Sequence, residues 1–269
     1  MKTIIHWRVF LILWIASILS SIAILPYALE LQGSALESLD LPLPLPALIT
    51  LQIVQGAILF AIVIFAGMLF ARRVGLGTPI LDSVTRGESV ADKVRAILPI
   101  SIGLGVIAAL LIIGIDLLLQ PALLRELGEA ANALESQNIH PAAWKGFLAS
   151  FYGGIAEEIL LRLLVMSFFV WLGRFVSKTQ EGKPTSAVFW VANILAAVLF
   201  GLGHLPATAT LLPLTPLVIT RAILLNGIGG VIFGWLYWKR GLEAAMVSHF
   251  STDIVLHVLF ASIAGGLNG

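Results

Sequence analysis

Apolar residues in this chain do not alternate and do not form narrow helical stripes; they run unbroken for lengths that match a bilayer. An apolar stretch of about 20 residues crosses a ~30 Å hydrocarbon layer as a helix, and seven such stretches can be drawn, at 9 to 28, 47 to 70, 97 to 119, 146 to 173, 187 to 204, 217 to 238 and 242 to 264. The first follows Lys2 and Arg8 as a signal peptide would, but it exceeds an h-region of about 7 to 15 residues, so a retained anchor is expected. Residues 41 to 46, LPLPLP, predict an extended lead-in to the second span, because each proline disfavours helix at the residue before it. Residues 121 to 143 mix Leu123, Leu124, Leu127 and Leu134 with Arg125, Glu126, Glu129 and Glu135, which predicts a short amphipathic helix on the outer surface. The expected fold is all-α: a polytopic membrane helix bundle of about seven transmembrane helices in one membrane domain, residues 1 to 269.

Composition agrees with that reading. The chain is 59% apolar and 12% charged, where soluble domains carry about 25% charged residues. Sixteen Lys plus Arg stand against 15 Asp plus Glu, so no acidic tail or basic face points to nucleic acid. The lack of cysteine removes disulfides, thiolate zinc sites and a cysteine nucleophile. Lys and Arg accumulate in cytoplasmic loops. Lys2, Arg8, Arg72, Arg73, Arg86, Lys93, Arg95, Arg174, Lys178, Lys183, Lys239 and Arg240 all fall on one side of the predicted spans, against Arg125 and Lys145 on the other. This predicts the N-terminus inside and the C-terminus outside, and the compact loops point to a bacterial inner membrane. No internal repeat is visible, which weakens a transporter built from two similar halves.

Ionisable residues within spans are costly and mark function. The fourth span carries Glu157, Glu158 and Arg162; the fifth ends in His204; the seventh carries His249, Asp253 and His257; Asp116 and Arg221 lie in the third and sixth. Glu158 and Arg162 are four apart and share a helix face, so the arginine can neutralise Glu158 and leave Glu157 free. A carboxylate without a cation partner in a low-dielectric setting can take up a proton near neutral pH, as a general base must. Asp253 lies one turn after His249 and can orient its ring. Arg221 with Asn226 is expected in an interior bond to backbone or Asp116, His257 in packing, and GIGG at 227 to 230 in close helix contact.

Glu157-Glu158-x-x-x-Arg162, then Phe200-x-x-x-His204, then His249-x-x-x-Asp253, on successive apolar helices, resembles the CPBP family of intramembrane proteases. That family includes the type II CAAX prenyl endopeptidases and the bacterial abortive-infection and bacteriocin-processing proteins. The resemblance covers about residues 146 to 264, a protease-like core preceded by N-terminal helices and the outer amphipathic segment at 1 to 145. It implies a polar catalytic cavity formed by the last four helices. It also implies that Glu157 activates water with His204 as partner, Glu158 and Arg162 support the base, and Phe200 packs beside His204. His249 with the residue four later, asparagine in some members and Asp253 here, would stabilise the oxyanion or ligate a metal. The implied substrate is a prenylated C-terminal peptide, a leader peptide or a membrane protein.

The chemistry stands on the residue types as well. Amide hydrolysis needs a base for water, a proton donor for the leaving amine and donors facing the developing oxyanion, and Glu157, His204 and His249 can supply them. An ionised Asp253 cannot donate to an oxyanion, so it must be protonated, orient His249 or serve a metal. Two routes follow: a metal-free glutamate mechanism with no cofactor, or Zn²⁺ held by Glu157, His204, His249 and Asp253. A catalytically inactive scaffold and a proton-coupled transporter are the other functions these residues allow. With ~1.5 Å rise per residue, straight helices would leave Glu157, His204 and His249 at different depths. A broken or re-entrant fifth segment, with Gly201, Gly203, Pro206, Pro213 and Pro216, is the expected remedy.

Overall fold

The computed structural model describes residues 5 to 37, 42 to 128 and 141 to 263, and among them every named element is helical. The first span is α1 (Trp7–Ala23) and α2 (Leu25–Glu37), parted at Ile24 just ahead of Pro26. The second is α3 (Leu45–Val74), introduced by Pro44 in extended conformation, as the proline run predicts, and stopped by Gly75 at φ 78°. A short α4 (Pro79–Thr85) precedes the third span, α5 (Ala91–Leu127). The expected amphipathic helix is placed only in part: 121 to 127 finish α5, and 129 to 140 lie outside the described residues.

The fourth span, 143 to 173, departs from a plain α-helix. It opens as α6 (Ala143–Phe151), widens into the π-helical segments π1 (Tyr152–Glu157) and π2 (Ile159–Met166), and closes as α7 (Ser167–Gly173). The fifth is α8 (Ser186–Gly203) followed by α9 (Leu205–Ala209), the sixth α10 (Pro216–Arg240). The seventh is α11 (Leu242–Asp253), running into π3 (Ile254–Phe260). Thr215 caps α10 by accepting the Val218 N–H, with Pro216 in the first turn where its missing donor costs nothing. Six of these stretches are long and apolar enough to cross a membrane by length and composition. The fourth, with its three ionisable residues at 157, 158 and 162, makes up the predicted seven helices.

The packing is inverted relative to a soluble bundle. Leu51, Val54, Ile58 and Ile62 of α3 and Val191 and Ile194 of α8 are exposed, whereas Glu158, Arg162, Asn193 and His249 are buried. In hydrocarbon, apolar surface has nothing to gain from leaving lipid, so close approach and polar contacts select the helix pairs. α10 packs on α8, and a Cβ at Gly230 would stand 2.8 Å from that of Ala197. Within the GIGG tract the close contact is Gly230; Gly227 has nothing within 4 Å and Gly229 meets Phe233 of its own helix. α5 packs on both α10 and α11, where Thr252 Oγ1 donates to the Gly105 carbonyl at 2.9 Å, and Arg221 Nε donates to Asp116 at 2.6 Å. α3 packs on α1 and π2. The seventh span starts against the α3–α4 turn: the Leu242 N–H donates to Gly77, and the Glu243 carboxylate accepts from the N–H groups of Ile80 and Leu81.

Candidate active site

Span 4 brings two adjacent carboxylates to the centre of the bundle with different surroundings. Glu158, between π1 and π2, has no exposed side-chain surface. Its Oε1 lies 2.8 Å from His249 Nδ1, the imidazole N–H donating, and its Oε2 lies 3.2 Å from Arg162 Nε. The latter is an ion pair rather than a directed hydrogen bond, since neither atom meets bonding angles there. Arg162 instead donates from Nη2 to the Gly230 carbonyl at 3.0 Å and lays its guanidinium over the rings of Phe200 and Phe233, at 5.3 and 5.6 Å. Glu157 is 20% exposed and makes no hydrogen bond among the described residues. Arg162 thus stands against Glu158, four residues away, while Glu157 faces imidazoles.

Two imidazoles converge on Glu157. His204 Nε2 is 3.9 Å from Oε1, and His249 Nε2 is 3.7 Å from Oε2. The His204 Nδ1–H is held by the Phe200 carbonyl at 2.9 Å, with the two rings edge to face, which leaves Nε2 directed at Glu157. At that separation a water can touch both groups from the side. His249 is fixed on three sides: Nδ1 on Glu158, one face stacked on Phe233 at 4.5 Å and 19°, and Phe200 edge-on at 5.6 Å. Asp253 Oδ1 lies 3.6 Å from His249 Nε2. The ring is thus oriented by Glu158, whereas spacing along the seventh span alone pointed to Asp253.

The fifth span is broken at His204 itself, one of the two remedies expected for the depth mismatch. α8 and α9 run on as one apolar stretch, Ser186–Ala209, with His204 at the junction. The stretch continues past His204 through the five residues of α9, so the imidazole lies inside the span instead of at its end. Three contributors were missed by sequence reasoning. Phe233 is one more aromatic in an apolar run, and only its position three residues after Gly230 ties it to the arginine. Gly153 sits opposite the seventh span, where an added Cβ would come within 2.1 Å of Asp253 Oδ2 and 3.0 Å of His249 Nε2. The π-helical geometry has no counterpart in side-chain periodicity. Of the lesser candidates, Arg221 pairs with Asp116, Asn226 bonds back to Ala222, and His257 meets the Tyr27 hydroxyl at 3.2 Å.

The side chains that would serve a metal are Glu157, His204, His249 and Asp253. Among the described residues no three His, Asp or Glu side chains stand together as a ligand group. The imidazole-to-carboxylate gaps are 3.6, 3.7 and 3.9 Å.

Residues 139 to 255 match the family model described as type II CAAX prenyl endopeptidase Rce1-like. No curated protein and no solved structure matches the chain. The matched stretch begins just before the fourth span and ends two residues after Asp253, so it takes in every residue of the polar cluster and leaves out the first three spans. Residues 139 to 255, somewhat under half of the chain, are thus similar to the Rce1-like type II CAAX prenyl endopeptidases, a family of membrane proteases.

Proposed function

We propose that the chain is a glutamate-dependent intramembrane endopeptidase that needs no metal and cleaves a prenylated C-terminal peptide. The observation that carries this reading is the convergence of two imidazole Nε2 atoms on Glu157, a partly exposed carboxylate without a hydrogen bond. Water lodges between Glu157 and His204 Nε2. Glu157 takes its proton as the oxygen attacks the scissile carbonyl carbon, and the carbonyl oxygen becomes an oxyanion. His249, doubly protonated, donates Nδ1–H to Glu158 and Nε2–H to that oxyanion. The carboxylates of Glu157, Glu158 and Asp253 stand around the ring, which gives Asp253 a role that an acceptor can fill. Collapse of the tetrahedral intermediate breaks the C–N bond, and Glu157 passes its proton to the departing amine. The cation-rich ends of the spans face the cytoplasm of a bacterial plasma membrane in this proposal; they gather at one end of the bundle, where Arg174 reaches the Arg73 carbonyl and Arg8 that of Thr85.

The test is cleavage of a farnesylated CAAX peptide and of the same peptide unmodified, by purified protein in detergent, with and without chelator. Preferential cleavage of the farnesylated peptide, unaffected by chelator, is expected. Equal cleavage of both would overturn the substrate assignment, chelator sensitivity the metal-free chemistry, and no cleavage by folded protein would favour a scaffold.

A further inference from the structure

At the end of the bundle opposite α9, away from the polar cluster, a groove of about 520 Å³ is walled by the α3–α4 turn, the first turns of α5 and the end of α10. Its floor is the buried surface of Leu76, Thr78, Ile97 and Tyr237. Its rim carries Lys93, Lys239 and Arg240, all exposed, against one carboxylate, Asp82. Lys93 Nζ donates to Ser83 Oγ at 2.5 Å, and Lys239 Nζ stands 3.5 Å over the Trp238 ring. None of the three cations has an acid within ion-pair distance among the described residues. Arg86, lining the adjoining hollow, differs: its Nε donates to Glu88 at 2.6 Å, and that bond holds the Glu88 carboxyl down at about 2. Glu243, partly buried behind the α3–α4 turn, accepts the N–H groups of Ile80 and Leu81 on Oε1, while its Oε2 has no hydrogen-bond partner among the described residues.

Three cations from two spans, none of them ion-paired among the described residues, thus ring a concave site with an apolar floor, near the ends of the spans. Basic hollows between transmembrane helices take anionic lipid headgroups, the charge meeting the phosphate and the apolar wall the glycerol and upper chain. A free phosphate would satisfy the rim but leave the floor uncovered. We propose that this groove binds the phosphodiester headgroup of an anionic phospholipid.

The test uses the full chain in detergent with added phosphatidylglycerol, phosphatidylcholine or inorganic phosphate, bound lipid being counted by native mass spectrometry. Two triple variants are compared with the unaltered protein: Lys93→Gln/Lys239→Gln/Arg240→Gln in the groove, and Arg95→Gln/Lys178→Gln/Lys183→Gln outside it. With a basic side chain near a surface worth about fivefold in lipid affinity, the groove variant should bind phosphatidylglycerol about a hundredfold more weakly, and the outer variant nearly as well as the parent. Equal losses in the two variants would show a diffuse surface attraction and overturn the site. Equal binding of phosphatidylcholine, or displacement of the lipid by millimolar inorganic phosphate, would overturn the anionic-lipid assignment. All six positions are exposed at span ends or in loops, so folding, followed by thermal melting, serves as the control.

Discussion

In α1 and α3 the buried positions are Val9, Leu13, Ser17, Ser20, Phe60, Val63, Ile64, Gly67, Ala71 and Val74: apolar or small, with the serine hydroxyls bonded back to their own helix. In the fourth and seventh spans the corresponding interior holds Glu158, Arg162, His249 and Asp253. Helices of the first kind meet through shape, and any one contact is weak. Those of the second kind are tied by groups that lose solvation together, so each depends on its partner and the register between spans 4 and 7 is fixed by charge. The contrast separates support from chemistry: the ionic cluster both holds the helices and presents Glu157.

The largest effect should follow from removing the cation of the cluster. Arg162→Met leaves Glu158 buried beside His249 without its guanidinium, and loss of one partner of a buried pair costs about 3 to 5 kcal/mol. A strongly lowered melting temperature together with lost cleavage is expected; an unchanged melt would mean that Arg162 does not hold the bundle. Gly153→Ala drives a methyl into the Asp253 carboxylate and against His249. With a misplacement of ~1 Å able to cost about a hundredfold in rate, kcat should drop by about that factor while the melt moves little. Phe233→Leu removes the stack on His249, and an aromatic pair worth about 0.5 to 1.5 kcal/mol corresponds to roughly a threefold to tenfold fall in kcat. KM should hold, and Phe233→Tyr should restore the rate; a loss of stability with no rescue by Tyr would make Phe233 a packing residue only. The smallest effect belongs to the other region. Ser17→Ala deletes a buried hydroxyl that only bonds the Trp14 carbonyl, so stability should change by about 0.6 kcal/mol or less, with cleavage intact.

The sequence made some of this legible and hid the rest for physical reasons. Span number followed from uninterrupted apolar length, because a bilayer imposes it. The separate fates of Glu157 and Glu158 followed from the four-residue spacing to Arg162, a local relation that survives the change from α to π geometry. Contacts between spans were not legible: that Glu158 rather than Asp253 orients His249 depends on how helices 91 residues apart meet. Gly153 shows its purpose only once Asp253 stands opposite. Of the broken or re-entrant fifth segment expected from the depth mismatch, the break is present, at His204 between α8 and α9.

The central claim is that two neighbouring carboxylates divide the work, Glu157 acting on water and Glu158 holding the cluster. Cleavage rate and melting temperature of Glu157→Gln and Glu158→Gln, in one detergent and on one farnesylated peptide, test it most directly. The account predicts that Glu157→Gln loses cleavage by about 10²- to 10⁴-fold, the usual contribution of a general base, while melting as the parent does, and that Glu158→Gln melts at a clearly lower temperature. Cleavage retained by Glu157→Gln, or the same melting temperature for both variants, would contradict it.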